Sequence, residues 1–400
     1  MSHALTHPAD ALGRLLSRLA PVEPEEAGLD EAMGRALAEP LVADRDSPPC
    51  DVSAMDGYAA RLADFARGRL PVTGEIAIGA PPPRLPPGQA LRIVTGAAVP
   101  PEAEAVVKRE DTVENPDSIE LRGDPSAIGA GQHIRRKGEN LRTGEVVVQS
   151  GTAVSPAVAG ALATFGVDRV RVRRRVRVAL LVTGDEVADA GASAVAWRIR
   201  DANGPALRGF VSGRPWLELT GLIHVPDSRA ATIERLSDAL RDNDAVLLTG
   251  GVSMGDHDYV PEALEQARCE TVFHRLPIRP GKPVLGSVGA RGQLVLGLPG
   301  NPVSVLVGAR WFALPLLRKR AGIAPAVPPP GLVRLREHDG RTLPLFWYRL
   351  VRMAGPGEAE LCPSQGSGDM VSAARADGFV MIPPEQAGEG PWPYYRFPED

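Results

Sequence analysis

Lysine is almost missing from this sequence. Four lysines, Lys108, Lys137, Lys282 and Lys319, stand against 41 arginines in 400 residues. Arginine is a broad planar donor and lysine a compact point charge, so each retained lysine is a candidate for a use that needs a small ammonium. Cysteine is scarcer still, with Cys50, Cys269 and Cys362 scattered along the chain. That pattern excludes a disulfide framework and a zinc site of paired ligands, and it fits a reducing, cytoplasmic setting. No apolar run approaches the roughly 20 residues needed to cross a bilayer. The opening MSHALTHPADALGRLL reads as an amphipathic helix without the apolar core of a secretory signal. Acidic or basic tails are missing too, and the formal net charge is only −4. One dense basic run, residues 171–177 (RVRRRVR), alternates Arg with Val. It reads as a strand or linker with one solvated face, so no nucleic-acid partner is expected. The seven histidines show no metal-type spacing, and no Ser-His-Asp set or partnered Cys nucleophile is visible.

What is present is a globular composition, 44% apolar and 24% charged. A chain of this length is expected to form two to four domains. Residues 8–40 read as helices, from apolar spacing through Ala11, Leu15 and Leu19 and again through Leu29, Met33 and Leu37. SPPCDVSAMDGYA, residues 47–59, breaks that pattern, and residues 71–150 have the Pro/Gly-rich, short-stranded texture of a small β domain. From Arg175 apolar strands alternate with helices. VRVALLVTGDEV, DAVLLTGG and QLVLGLPG read as strands, with TGLIHV between the first two and helices near 204–213, 228–241, 259–267 and 302–320. That alternation predicts a mostly parallel sheet covered on both faces. AGIAPAVPPPGL is a linker, and the last 70 or so residues read as a small β domain. The expected fold class is multidomain α/β, with a central three-layer α/β/α sheet domain at 175–322. Around it are expected an N-terminal helical region, a small β-rich domain and a C-terminal β domain.

Several strand ends carry the same device. LRIV runs into Thr95-Gly96, ALLV into Thr183-Gly184-Asp185-Glu186, and AVLL into Thr249-Gly250-Gly251. In parallel α/β sheets ligands bind at the carboxyl ends of strands, and glycine turns let backbone N–H groups approach an anion. TGGVSMGD, residues 249–256, is the most specific of these turns, with Gly250, Gly251, Ser253 and Gly255 as its cradle. LGLPGNPVSVLV repeats the logic at a helix start, where Pro299, Gly300 and Asn301 precede Pro302 and Ser304 lies in the first turn. A well-capped helix is one reading of this stretch and an anion on its free N–H groups is the other. IRPGKP presents Arg279 and Lys282 on a loop stiffened by Pro280 and Pro283, which suits an oxyanion.

Asp51, Asp56, Asp185, Glu186, Asp201, Asp244, Asp256 and Asp258 lie in or beside these turns. Carboxylates near phosphate cradles commonly hold Mg²⁺ together with substrate phosphates. Asp256 and Asp258 are the better metal candidates, whereas Asp201 and Asp244 also read as local caps.

In one order, SPPCDVSAMDGYA, IVTGAAVPPEAEAVVKRED, GQHIRRKGENLRTGE, ALLVTGDEV, LLTGGVSMGDHDY, RPGKP, LGLPGNPVSVLV and PSQGSGDMVSAARADGFVMIPP resemble the molybdopterin molybdenumtransferases, the bacterial MoeA proteins and their gephyrin-type relatives. The resemblance spans about residues 10–385. It implies an enzyme of molybdenum cofactor biosynthesis that takes adenylylated molybdopterin and molybdate, cleaves the phosphoanhydride with a divalent ion such as Mg²⁺, and releases AMP. It implies four domains, an elongated N-terminal linking domain at 1–46 plus 147–174, a small β-rich domain at 47–146, an α/β/α domain of the molybdopterin-binding type at 175–322 and a C-terminal β domain at 323–400, and a homodimer with the site shared between subunits. Molybdopterin adenylyltransferase and molybdoenzyme clients are implied as further partners.

Carried over by motif, Lys282, Asp56, Glu186 and Asp244 are implied as catalytic. Thr95, Thr183, Gly184, Gly250, Gly251, Ser253, Gly255, Pro299, Gly300 and Asn301 would hold the nucleotide and phosphates. Arg279, Lys282, Pro283, Ser304, Arg349 and Ser367 would lie near molybdate, and Asp256, Asp258 and Glu186 would hold the metal. The chain departs from the family's usual pattern at Arg279, commonly Lys, at Asn140, commonly Asp, at Cys50, and in IRDAN for IYDSN. Two other readings remain beside the transferase: a non-catalytic molybdopterin carrier, and the preceding adenylyltransferase step.

Overall fold

The computed structural model describes residues 6–188, 191, 195–253 and 258–397. The chain forms two compact units, Met1–Glu39 with Ser150–Ala159 and Asp168–Asp400, and Pro40–Gln149 with Gly160–Val167.

The first unit is organised by a six-stranded sheet in the order Leu217–Val225, Val176–Thr183, Ala245–Thr249, Leu294–Leu298, Leu285–Val288, Glu270–His274. The first four strands run parallel, and Leu285–Val288 runs antiparallel to both of its neighbours, so that Glu270–His274 has the direction of the first four. Strand side chains alternate between faces, and here both faces are apolar. Val178, Leu180, Leu247 and Leu296 face one buried cluster with Leu15, Leu207 and Phe312. Ala179, Leu181, Val246, Leu248 and Val295 face another with Leu236, Leu240 and Leu264. Helices Pro8–Arg18, Asn203–Ser212 and Pro302–Gly308 supply the first cover, and Arg229–Asp242 and Val260–Gln266 the second. Burying each Leu is worth about 1.5–3 kcal/mol, so continuous apolar strands specify this sandwich strongly.

A second helix over 29–40 is not what forms. The helix Leu29–Ala32 has four residues, after which Gly34 takes φ +74 and the chain leaves as an extended segment. The buried Arg35 then donates from Nε to Arg173 O at 3.0 Å. The Arg/Val run does form a strand, Arg169–Arg173, antiparallel to Pro24–Gly28, whose Glu26 pairs with Arg169.

The C-terminal sheet closes into a barrel, because Gly378–Ile382 pairs with both Trp392–Arg396 and Phe346–Gly355. The short strand Ile278–Arg279 joins this barrel from the middle of the chain, with Arg279 opposite Trp347. The second unit holds its own six-stranded sheet, in which Gly57–Ala60 lies between Ala105–Lys108 and Ala90–Ile93. No helix among the described residues is long and apolar enough to cross a membrane.

Candidate active site

The parallel strands end in one row. Thr183 is opposite Val225, Val182 opposite Thr249, and Thr249 opposite Leu298. Neighbouring strands lie about 4.8 Å apart, so the turns that follow stand side by side.

Gly250 forms the floor of this row. Its φ of +84 is a conformation that L side chains rarely adopt, and a Cβ there would lie 2.4 Å from Thr183 Oγ1. Thr183 Oγ1 itself donates to Thr249 O at 3.1 Å, and Gly250 N donates to Leu298 O at 3.0 Å. On the next turn, a Cβ on Gly300 would stand 3.8 Å from Gly250 Cα. Half-buried Thr183 and Gly250 and exposed Gly300 therefore adjoin one another at this edge. The carboxylate of Glu186 folds back over Gly184, 2.7 Å from where a Cβ would stand. Asp185 and Asp227 join two of the turns by reciprocal hydrogen bonds, each main-chain N donating to the other's carboxylate at 3.1 Å. Asn203 Nδ2 donates to Gly300 O at 2.7 Å. Its buried Oδ1 and the buried Thr249 Oγ1 have no partner among the described residues, and buried polar atoms of this kind are commonly satisfied by a ligand or water.

Asp227 was not singled out by sequence reasoning. Its signal was available, since LIHVPD places it just beyond the end of an apolar strand, as Asp185 is beyond ALLV.

Arg279 and Lys282 are exposed, and among the described residues neither forms an ion pair. Leu276 N donates to Lys282 O at 2.9 Å, which fixes the loop that carries the ammonium beside half-buried Pro283. Arg349 is committed instead. It pairs bidentately with Asp339 at 2.8 and 2.7 Å and lies 4.2 Å over the Trp347 ring. That guanidinium holds the Asp339 carboxyl below its ordinary value. Ser367 contributes its carbonyl, which accepts from Val303 N at 2.9 Å. Thus one free N–H at the start of helix Pro302–Gly308 is already used within the chain. Asn301 occupies the cap position there, without a side-chain capping bond.

In the second unit, Asp56 and Thr95 meet because Gly57 is paired with Ile93. Asp56 Oδ1 accepts from Thr95 N at 2.7 Å and from Thr95 Oγ1 at 2.8 Å. The Thr95 backbone bond first, then its hydroxyl, keeps the Asp56 carboxyl below its ordinary value. Asn140 bridges Arg135 and Ser47, accepting at 2.7 Å and donating at 3.2 Å.

Two predicted roles are corrected by placement. Asp244 precedes strand Ala245–Thr249, so it sits at the sheet's amino edge, about 16 Å along the strand from Thr249. There it accepts both Arg174 donors at 2.6 and 2.9 Å, Arg177 N at 2.9 Å, and Arg320 at 3.4 Å. Burial raises its pKa, but the Arg174 guanidinium and the Arg177 N–H outweigh that and hold it low. It is a structural counter-ion away from the glycine turns. Ser304 is only 2% exposed, so its hydroxyl offers nothing to an oxyanion at the surface.

Ser253 is exposed, and Asp258 is half-buried just ahead of helix Val260–Gln266. Gly255, Asp256 and His257 lie outside the described residues. The carboxylates on the described turns supply only oxygen donors, which suits Mg²⁺, a cation usually held by one or two carboxylates and substrate phosphates. Among the described residues no three Asp, Glu, His or Cys side chains form a ready cage.

Over 400 residues the chain is 35% identical to the molybdopterin molybdenumtransferase of Synechococcus elongatus, covering 94% of this chain and 95% of that protein. It belongs to the molybdopterin molybdenumtransferase family. The same family name is carried by a Staphylococcus aureus relative, 30% identical with 94% of this chain and 90% of that protein covered. Residues 6–166 match the MoeA N-terminal region (domain I and II), 179–319 the probable molybdopterin binding domain, and 334–390 the MoeA C-terminal region (domain IV). Among solved structures, a molybdopterin biosynthesis MoeA protein of Pyrococcus horikoshii superposes with a TM-score of 0.82 at 26% identity, covering 98% of this chain and 99% of that one. In this molybdenumtransferase framework, the glycine floor just described lies within the region matching the molybdopterin binding domain.

Proposed function

We propose that this chain inserts molybdenum from molybdate into adenylylated molybdopterin and releases AMP. Family membership makes it a transferase of molybdenum cofactor biosynthesis. The observation that carries the finer reading is the arrangement along one sheet edge. The adjoining turns at Thr183, Gly250 and Gly300 are flanked by the carboxylates of Asp185, Glu186 and Asp227, while Arg279 and Lys282, exposed and without an ion pair among the described residues, stand at the IRPGKP loop.

In this reading the glycine turns hold the linked phosphates by backbone N–H groups other than that of Gly250, which is bonded to Leu298 O. Glu186 and Asp227, with Asp256 and Asp258, would hold Mg²⁺, which when bound would neutralise phosphate charge as the anhydride is cleaved. Water supplies the oxygen as the phosphoanhydride P–O bond breaks and AMP leaves. Lys282 polarises the molybdate oxygen that leaves as water, taking the two thiol protons, as the dithiolene sulfurs bond to molybdenum, and Arg279 orients the oxyanion. Asp56 and Thr95, locked together in the second unit, would contact the nucleotide as the resemblance implies.

Coverage of nearly the whole length of transferase relatives, including their N- and C-terminal regions, favours this step over the preceding adenylylation. Asn140, bonded to Arg135 and Ser47 where the family commonly has Asp, is the observation that favours a carrier. Mixing purified protein with adenylylated molybdopterin and Mg²⁺ separates the two, because a carrier binds without releasing AMP. The four-domain division, a homodimer with a shared site, a cytoplasmic location, and adenylyltransferase and molybdoenzyme partners belong to the same proposal. Sedimentation checks the dimer directly.

A further inference from the structure

We infer that Trp197 is the stacking platform for the adenine ring of the adenylylated substrate. The inference rests on the proposed function and adds a residue that specifies one end of the substrate.

Trp197 is 81% exposed, flanked by Val195 at 44% and Ile199 at 59%. A lone exposed apolar residue needs no explanation, but a cluster of three with a fully offered indole beside a candidate site does. The segment is also tied down. Ile199 N donates to Glu186 O at 3.0 Å, and Arg198 Nη2 donates to Asp185 O at 3.0 Å. Val187–Ala188 pairs with Ile199–Arg200 in parallel. The indole is therefore presented by backbone anchored to the two carboxylate-bearing residues after strand Val176–Thr183. At 3.8 Å between successive Cα atoms, Trp197 starts within about 8 Å of Ile199.

Sheet order decides which ring it meets. The glycine floor follows the central strands Ala245–Thr249 and Leu294–Leu298. Lys282 precedes Leu285–Val288, whose Leu285 is opposite Gly297, so the cationic loop lies at the same edge but on the far side of the floor. Trp197 follows Val176–Thr183, on the near side. If phosphates occupy the floor and the molybdate-receiving dithiolene faces Lys282, the group extending toward Trp197 is the nucleoside. A flat indole suits it, since base–aromatic stacking is strong and tolerant of orientation.

The test compares Trp197→Ala and Trp197→Phe with the parent protein. Each is assayed for binding AMP, for binding molybdopterin without the adenylyl group, and for AMP release from the adenylylated substrate. The Ala variant is expected to weaken AMP binding and raise KM about tenfold, with kcat within about twofold and with molybdopterin binding unchanged. Phe restores most of the loss. Because the side chain is exposed, both variants should unfold within about 2 °C of the parent. AMP binding by the Ala variant at parental affinity overturns the inference, as does weakened molybdopterin binding with AMP unaffected. If the parent releases no AMP yet binds it through Trp197, the transferase reading fails and this assignment stands.

Discussion

Asp185 and Asp227 clasp each other across two turns, each backbone N–H donating to the other's carboxylate at 3.1 Å. The clasp fixes the loops after two neighbouring parallel strands and leaves the carboxylates at the rim of the glycine floor. Removing the Asp227 carboxylate deletes one of these bonds, a loss of about 1 kcal/mol. Asp227→Ala is therefore expected to lower the unfolding midpoint by only a few degrees and to reduce kcat/KM for AMP release about tenfold or more. Calorimetry and a steady-state assay on one preparation check both. Parental kcat/KM with a lowered midpoint would leave Asp227 a purely structural residue.

Gly250 admits no side chain. Gly250→Ala combines a positive φ with a Cβ 2.4 Å from Thr183 Oγ1 and 3.1 Å from Thr183 O. The expected cost is about 2 kcal/mol or more of stability, read by urea unfolding, together with loss of AMP release. Adding Thr183→Ala removes the hydroxyl clash but not the backbone strain, so it should recover only part of the stability. Full recovery would show that the positive φ costs nothing.

Asp244 tests stability and chemistry separately. Asp244→Asn leaves Arg320, only 8% exposed, without its counter-charge. A loss of about 3 kcal/mol is expected, with kcat of the folded enzyme unchanged. The folded carboxyl titrates below its ordinary value, so its stabilisation is present above the unfolded pKa, about 3.9. That contribution fades as pH falls through the lower folded value. Acid unfolding of the parent should therefore show a loss below about pH 4 that the Asn variant has already suffered. A tenfold drop in kcat with unchanged stability would return Asp244 to the active site.

The contrast between Asp244 and Asp227 shows what was legible in the sequence. Apolar runs such as VRVALLVT and DAVLLT located the sheet because buried parallel strands are continuously apolar. The glycines of LLTGG marked its ligand edge because few other residues turn there. An aspartate beside a strand reads alike at either end, however, and only strand direction separates Asp244, before the strand, from Asp227, after one. Ser304 was misread for a similar reason, since helical position alone does not say which face is buried. The short strand Ile278–Arg279 pairs with residues about 70 positions later, a partnership that no local pattern encodes.

The most direct test of the account is molybdate-dependent AMP release from adenylylated molybdopterin with Mg²⁺, by the parent and by Lys282→Ala. Lys282 is exposed and among the described residues makes no ion pair, so the variant should fold normally. The account predicts that molybdate stimulates AMP release by the parent, and that the variant loses the stimulation while still binding the substrate. Tight substrate binding by the parent with no AMP release, with or without molybdate, would contradict it.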